Sequence, residues 1–302
     1  MNPPIRTEAL TRRYGRHMAL DGLDLAVPDG SIFGLVGPNG AGKTTVIKML
    51  MRLLRPSSGH AEVLGREATR LGPAELAQIG YVSENQKLPD WMPMAYFMNY
   101  LRPFYPAWDD ALAAELIRQF DLPPGRKLRH LSHGMRMKAA MAAALAYRPR
   151  LIILDEPFTG LDPLVRDELI EGFLPRAENT TVFVSSHDLA EIENFASHIG
   201  FLDHGRLQFS EGMSSLAERF REVEVTLRAP SAREAGWAEW PPTWLQAQRS
   251  AAVVRFVDSQ FEEGRTMAEV RRVFGESLQV AVNPMPLRSI FVALAKASRR
   301  AA

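Results

Sequence analysis

Cysteine is absent from this chain, which excludes disulfides, thiolate metal sites and cysteine nucleophiles together. A reducing compartment is compatible with that absence. No apolar run approaches the roughly 20 residues of a membrane-spanning helix, and the longest stretch of small apolar residues, 139–146, is far too short. If the protein serves a membrane process, another chain must supply the spanning part. The first residues, Met1-Asn2-Pro3-Pro4-Ile5-Arg6, lack the apolar core of a signal peptide. An excess of one charge is missing too. The formal net charge is only +1, so no broad attraction to nucleic acid or anionic lipid is expected. Internal repeats, low-complexity segments and sustained heptads are likewise lacking. What is present is a chain of 302 residues, 46% hydrophobic, long enough for one large or two modest domains with real cores.

The strongest positive signal is Gly37-Pro38-Asn39-Gly40-Ala41-Gly42-Lys43-Thr44-Thr45. It fits G-x-x-x-x-G-K-[ST], and its context fits as well. The apolar run Ile32-Phe33-Gly34-Leu35-Val36 leads in, and a helical pattern over 46–54 leads out. Glycines let the backbone bend so that successive N–H groups can face phosphate oxygens. A helix beginning there adds its positive end to the same anion. Lys43 is a mobile point charge for β- and γ-phosphates, Thr44 offers a hydroxyl to Mg²⁺, and Thr45 can bond another phosphate.

Residues 5–36 read as short strands and turns, and Ile79-Gly80-Tyr81-Val82 as a buried strand. Between 84 and 147 the character changes. Prolines at 89, 93, 103 and 106 alternate with Trp91, Met92, Met94, Tyr96, Phe97, Met98, Tyr100, Phe104, Tyr105 and Trp108. Asp109 or Asp110 can cap a helix over 111–120. This reads as a mainly helical insertion. Sheet signals return at Leu151-Ile152-Ile153-Leu154 and Thr181-Val182-Phe183-Val184, separated by helical patterns at 165–174 and followed by one at 189–195. That alternation predicts a parallel sheet with helices on both faces. Residues 199–209 read as a closing hairpin. Beyond 214 the pattern is a small α+β appendage, with strands at 223–227, 252–257 and 278–282 and helices at 267–274 and 289–297. It carries no chemical motif of its own, and its mixed charges read as a solvated surface.

Leu151-Ile152-Ile153-Leu154-Asp155-Glu156-Pro157 sets two carboxylates at the end of a buried strand. In open α/β sheets ligands bind at the carboxyl ends of strands. Asp155 is therefore placed to hold Mg²⁺, and Glu156 to polarise an attacking water.

Together these motifs resemble the ATP-binding cassette (ABC) ATPase family over roughly residues 5–212. Gly160-Leu161-Asp162 is similar to its D-loop, and Ser185-Ser186-His187-Asp188 to its switch-histidine segment. The resemblance implies a P-loop NTPase fold of ABC type. That fold has a mainly parallel sheet, an antiparallel β subdomain and a helical insertion, here followed by the α+β appendage. It implies an ATPase domain over 1–213, with its helical part at about 85–147, and an accessory domain over 214–302. It makes Glu156, His187 and Lys43 catalytic and residues 37–45 the nucleotide loop. Tyr14, within Arg13-Tyr14-Gly15, becomes the aromatic that stacks on adenine. Asp188 with Glu191 resembles a capping box for the next helix, which makes Asp188 a cap rather than a catalyst.

The signature segment, Leu131-Ser132-His133-Gly134-Met135, departs from the family's Leu-Ser-Gly-Gly-Gln at two positions. Ser132 and Gly134 are kept. By resemblance they reach, with Asp162, ATP bound on a second cassette. His133 brings a bulky, titratable ring that either faces solvent or acts at the site. The family expects glutamine where Glu84 stands. Glu84 is the expected further metal ligand, with Gln86 as the alternative after a local shift.

The implied function is ATP hydrolysis with Mg²⁺, driving transport through a separate transmembrane subunit docked near Trp91 to Trp108. The cassettes would pair as a homo- or heterodimer at the cytoplasmic face of the membrane, with no nucleic acid bound. The ending Leu287-Arg288-Ser289-Ile290-Phe291-Val292-Ala293-Leu294 resembles that of cassettes serving separately encoded exporter-type subunits. Two other readings stay open. One is an ATP-binding regulatory subunit with little turnover. The other is a soluble cassette ATPase acting on ribosomes or DNA, although this chain holds one cassette and no coiled coil.

Overall fold

A computed structural model of the chain describes residues 2–227, 240–250, 252–275 and 278–301. It divides into two units, residues 1–210 and 211–302.

The first unit begins with strands β1 (Ile5–Tyr14) and β2 (His17–Val27). Strand β3 (Ile32–Val36) and helix α1 (Lys43–Leu50) follow. Next come β4 (Ser58–Val63), β5 (Arg66–Glu67), the short helix α2 (Pro73–Leu76) and β6 (Ile79–Ser83). An antiparallel sheet takes the order β2-β1-β4-β5. Where short strands were expected, β1 and β2 run for 10 and 11 residues. Their pairing slips at three places. Each slip resets the alternation of buried and exposed side chains, which hides a long strand from a period-of-two reading.

Helices α3 (Met94–Leu101), α4 (Asp110–Gln119) and α5 (His133–Leu145) form the insertion. Asp109, not Asp110, caps α4, accepting from the Leu112 N–H at 2.9 Å. The aromatic stretch divides by face. Met92, Met94, Phe97 and Met98 are buried, while Trp91, Tyr96, Tyr100 and Phe104 stay exposed.

The main sheet is completed by β7 (Leu151–Asp155), β8 (Thr181–Ser186), β9 (His198–Asp203) and β10 (Arg206–Gly212), with α6 (Pro163–Phe173) between β7 and β8. Its order is β10-β9-β3-β8-β7-β6. The pairs β9/β3, β3/β8, β8/β7 and β7/β6 are all parallel. Every residue of β7 and β8 is buried, as expected of strands covered on both faces. The β9–β10 connection turns on His204 and Gly205, both left-handed, the geometry of a tight hairpin. The helix expected over 189–195 is only a single 3₁₀ turn, Leu189–Glu191.

The second unit holds α7 (Met213–Arg219), β11 (Arg221–Leu227), β12 (Trp244–Ser250), β13 (Val253–Asp258), α8 (Glu263–Phe274), β14 (Leu278–Pro284) and α9 (Leu287–Ala301). Its antiparallel sheet has the order β12-β13-β11-β14. Val223, Val225, Val254 and Phe256 project from it into a core shared with Trp244 and with Val270 of α8. Neither α7 nor β12 has a readable signal. Helix α7 is only seven residues long, and β12 is a polar edge strand with a slip between Leu245 and Gln248.

Candidate nucleotide site

Register builds the site. Val36 pairs with Ser186, Ser185 with Asp155, and Asp155 with Ser83. Four adjacent parallel strands therefore end at one level. The chain leaving each carries Gly37, His187, Glu156 and Glu84 respectively. Two glycines of the loop are required by close approach. A Cβ on Gly37 would lie 2.0 Å from the Leu202 carbonyl oxygen. Gly42 has φ +111, and its Cβ would lie 2.7 Å from the Ala19 carbonyl oxygen. No other residue type fits either position without moving backbone.

The charged groups are tied to one another. Lys43 Nζ lies 3.1 Å from Glu156 Oε1 and donates to the Gly37 and Pro38 carbonyls at 2.6 and 3.2 Å. Thr44 Oγ1 donates to Asp155 Oδ1 at 3.0 Å, and Ser185 Oγ donates to the same oxygen at 2.9 Å. Ser185 Oγ also accepts from the Glu156 N–H at 3.0 Å. Glu156 Oε2 accepts from the His187 N–H at 3.2 Å and from Thr159 Oγ1 at 3.3 Å, with His187 Nδ1 at 2.8 Å. Glu156 itself is left-handed, with φ 52. For a non-glycine residue this costs about 1–3 kcal/mol and persists only where surroundings enforce it.

These contacts set the ionisation of the site. Burial pulls the Glu156 carboxyl upward, but the His187 hydrogen bond and the Lys43 charge outweigh it and hold the pKa below its ordinary value. The same hydrogen bond raises His187. Asp155 moves the other way. Burial raises its pKa despite donors from Ser185 and Thr44 and the charge of Lys48.

A cavity of about 280 Å³ opens beside these groups, lined by Thr44, Lys48, Ser83, Glu84, Gln86, Asp155 and Glu156 among others. Its hydroxyl and carboxylate oxygens are the hard ligands Mg²⁺ prefers. Both candidates for the departed glutamine face this cavity. The Gln86 side-chain oxygen is turned back to accept from the Ser83 N–H at 3.4 Å, whereas the Glu84 N–H holds the Asp155 carbonyl at 3.0 Å. Ligand atoms of Glu156, His187 and Glu191 also lie within 4.8 Å of one another, but the Lys43 ammonium beside Glu156 disfavours a cation there.

The other expected residues lie apart from this cluster. Tyr14 ends β1, 45% exposed, with the Arg12 guanidinium 4.5 Å from its ring centroid. Ser132 caps α5 and Asp162 caps α6, each accepting from a first-turn N–H. Gly134 lets these helices meet, since a Cβ there would lie 2.8 Å from Val165. The expected capping box is not formed. Asp188 does cap the 3₁₀ turn, but Glu191 bonds Ser186 Oγ instead of the Asp188 N–H. Ser185 and Thr159 were not singled out from the sequence. For Ser185 the signal was available, because a serine ending an otherwise apolar buried strand must find a partner.

Residues 20–159 match the family profile described as ABC transporter. The daunorubicin/doxorubicin resistance ATP-binding protein DrrA of Streptomyces peucetius is 33% identical, over 96% of this chain and 92% of that protein. The chain belongs to the ATP-binding subunits of ABC transporters. The bacitracin transport ATP-binding protein BcrA of Bacillus licheniformis is 32% identical to this cassette, over 74% of each chain. A solved ATP-binding subunit of an ABC transporter shares its fold at a TM-score of 0.65 and 26% identity, covering 71% of this chain and 92% of the other. No helix among the described residues is long and apolar enough to cross a membrane.

Proposed function

We propose that this cassette hydrolyses ATP and uses the cycle to drive export through a separate membrane-spanning subunit. The observation that carries this is the meeting of the loop with both carboxylates, Thr44 with Asp155 at 3.0 Å and Lys43 with Glu156 at 3.1 Å. Residues 37–45 hold the phosphates and Tyr14 stacks on the base. Thr44, Asp155 and Glu84 would hold Mg²⁺, which would supply positive charge to the phosphate oxygens when bound. Glu156 acts as the base toward water. Lys43 is the cation that Glu156 now holds and His187 is bonded to the same carboxylate, and the terminal phosphate competes for both. Nucleotide binding thus frees the carboxylate for the water it must activate, while the same groups steady the charge of the transferring group.

A bacterial ABC transporter cassette of this fold has a dimeric structure. Ser132, Gly134 and Asp162 serve the nucleotide of a second cassette, so closure completes the site. The exposed aromatics Trp91, Tyr96, Tyr100 and Phe104 form the docking face for the membrane subunit. That partner holds the cassette at the cytoplasmic face of the membrane.

Nucleotide binding and phosphate release by the purified chain test the chemistry. Lys43→Ala is expected to lose both; a variant that binds and cleaves ATP like the wild type would refute the assignment. Co-purification from solubilised membranes tests the docking face. Tyr100→Ala with Phe104→Ala is expected to release the partner while ATP binding persists, and an unchanged yield of partner would exclude that surface.

A further inference from the structure

His133 begins α5 and is exposed. Its Nε2 lies 3.3 Å from the Thr159 carbonyl oxygen. A carbonyl oxygen only accepts, so this ring nitrogen carries the proton and donates. Thr159 in turn donates through Oγ1 to Glu156 Oε2 at 3.3 Å, and its N–H meets the Glu156 carbonyl at 3.4 Å. A short relay thus runs from the first turn of α5 through Thr159 to the carboxylate assigned as base. His133 also lines a second route to the site. A small cavity of about 40 Å³ is lined by His133 and Arg136 together with Ser83, Glu84 and Gln86. Glu84 also lines the larger cavity that holds Thr44, Asp155 and Glu156.

We propose that His133 is a positioning residue for Glu156, holding the Thr159 turn so that the carboxylate keeps its orientation. The left-handed backbone at Glu156 gives this role a physical basis. A strained residue stays in place only while its neighbours hold it, and Thr159 is the neighbour that reaches both its backbone and its side chain. A ring in this place does what a glycine could not. It spans from the start of α5 to the turn, so a displacement of α5 moves the base of the same chain. The role is distinct from that of Ser132 and Gly134, assigned above to a second cassette's nucleotide.

The inference rests on the ATPase reading, and steady-state ATP hydrolysis by the full chain separates the two. His133→Gly is expected to lower kcat about three- to tenfold, the net worth of one hydrogen bond, with KM for ATP unchanged. His133→Gln retains an N–H donor of similar reach and should recover most of the loss. Thr159→Val removes the hydroxyl link to Glu156, and combining it with His133→Gly should cost less than the product of the two losses, because residues in one chain of contacts are not additive. His133→Gly with wild-type kcat, a change confined to KM, or full additivity with Thr159→Val each overturns the proposal while leaving the ATPase assignment intact. A folded wild type that binds ATP and never cleaves it overturns both.

Discussion

The strand-end cluster of the first unit and the core of the second are built on opposite terms. Around Glu156 the side chains of Lys43, Thr159 and His187 all meet its carboxylate, and glycine is imposed by backbone approach at positions 37 and 42. In the second unit Trp244 stacks on Phe256 at 3.9 Å, amid valines. Its buried Asp258 is bonded by Thr266 Oγ1 at 2.6 Å and by the Gln260 N–H at 3.0 Å. Such a buried carboxylate, satisfied by its own loop and helix, organises the fold and faces no chemistry. The contrast teaches where stability and activity should separate: substitution in the first region should remove turnover, and in the second it should remove packing.

The sharpest way to break this contrast is Glu156→Gln. Loss of a general base costs about 10²–10⁴ in rate, while the amide can still accept from Thr159 and the His187 N–H. Turnover should collapse with ATP affinity kept, and the melting temperature should fall only modestly as Lys43 and His187 lose their carboxylate partner. A large loss of stability instead would make Glu156 structural. Phe256→Ala is the counterpart. Emptying a fully buried aromatic site costs about 3–5 kcal/mol. Limited proteolysis should then cut within 211–302, while initial rates of ATP cleavage stay near wild type. An equal fall in rate would mean that the second unit takes part in catalysis.

Ser185→Ala tests the boundary between the two behaviours. Its hydroxyl joins Asp155 to the Glu156 N–H inside a buried strand, and leaving those groups unpaired costs about 1–3 kcal/mol. Both the melting temperature and the Mg²⁺ dependence of turnover should worsen. A change in only one would show that the hydroxyl serves only stability or only metal placement.

Legibility followed the same divide. The loop, the Asp155-Glu156 pair and His187 were readable because their chemistry demands particular residue types at the ends of apolar strands, and register then brings them to one level. The long strands β1 and β2 were less readable, since bulges interrupt their alternation. The turn at 189–191 looked helical because Asp188 and Glu191 stand at capping-box spacing, yet Glu191 is drawn to Ser186 across the strand end. Strand β12 was hidden by its polar edge. Thr159 could not be found by any pattern, because its role depends on two hydrogen bonds that only the turn after Glu156 brings into reach.

The smallest expected effect concerns pH. The Glu156 pKa lies below its ordinary 4.5, so its share of the pair's stabilisation is present above that value and is lost as pH falls through the folded pKa. The His187 pKa lies above its ordinary 6.5, so its share is present below that value and is lost as pH rises through the folded pKa. Together they place the full contribution between pH 4.5 and 6.5. The His187 side chain is 37% exposed, which limits that contribution to about 1 kcal/mol or less. Without nucleotide, the melting difference between wild type and His187→Ala should be largest inside this window and fade on both sides. In the second unit, Arg255 pairs with Glu224 at 2.6 Å. A guanidinium does not titrate in this range, so the difference made by Arg255→Ala should not fade as pH rises from 6.5 to about 8. Matching alkaline behaviour in the two variants would mean that the ring of His187 does not carry the charge that Glu156 holds.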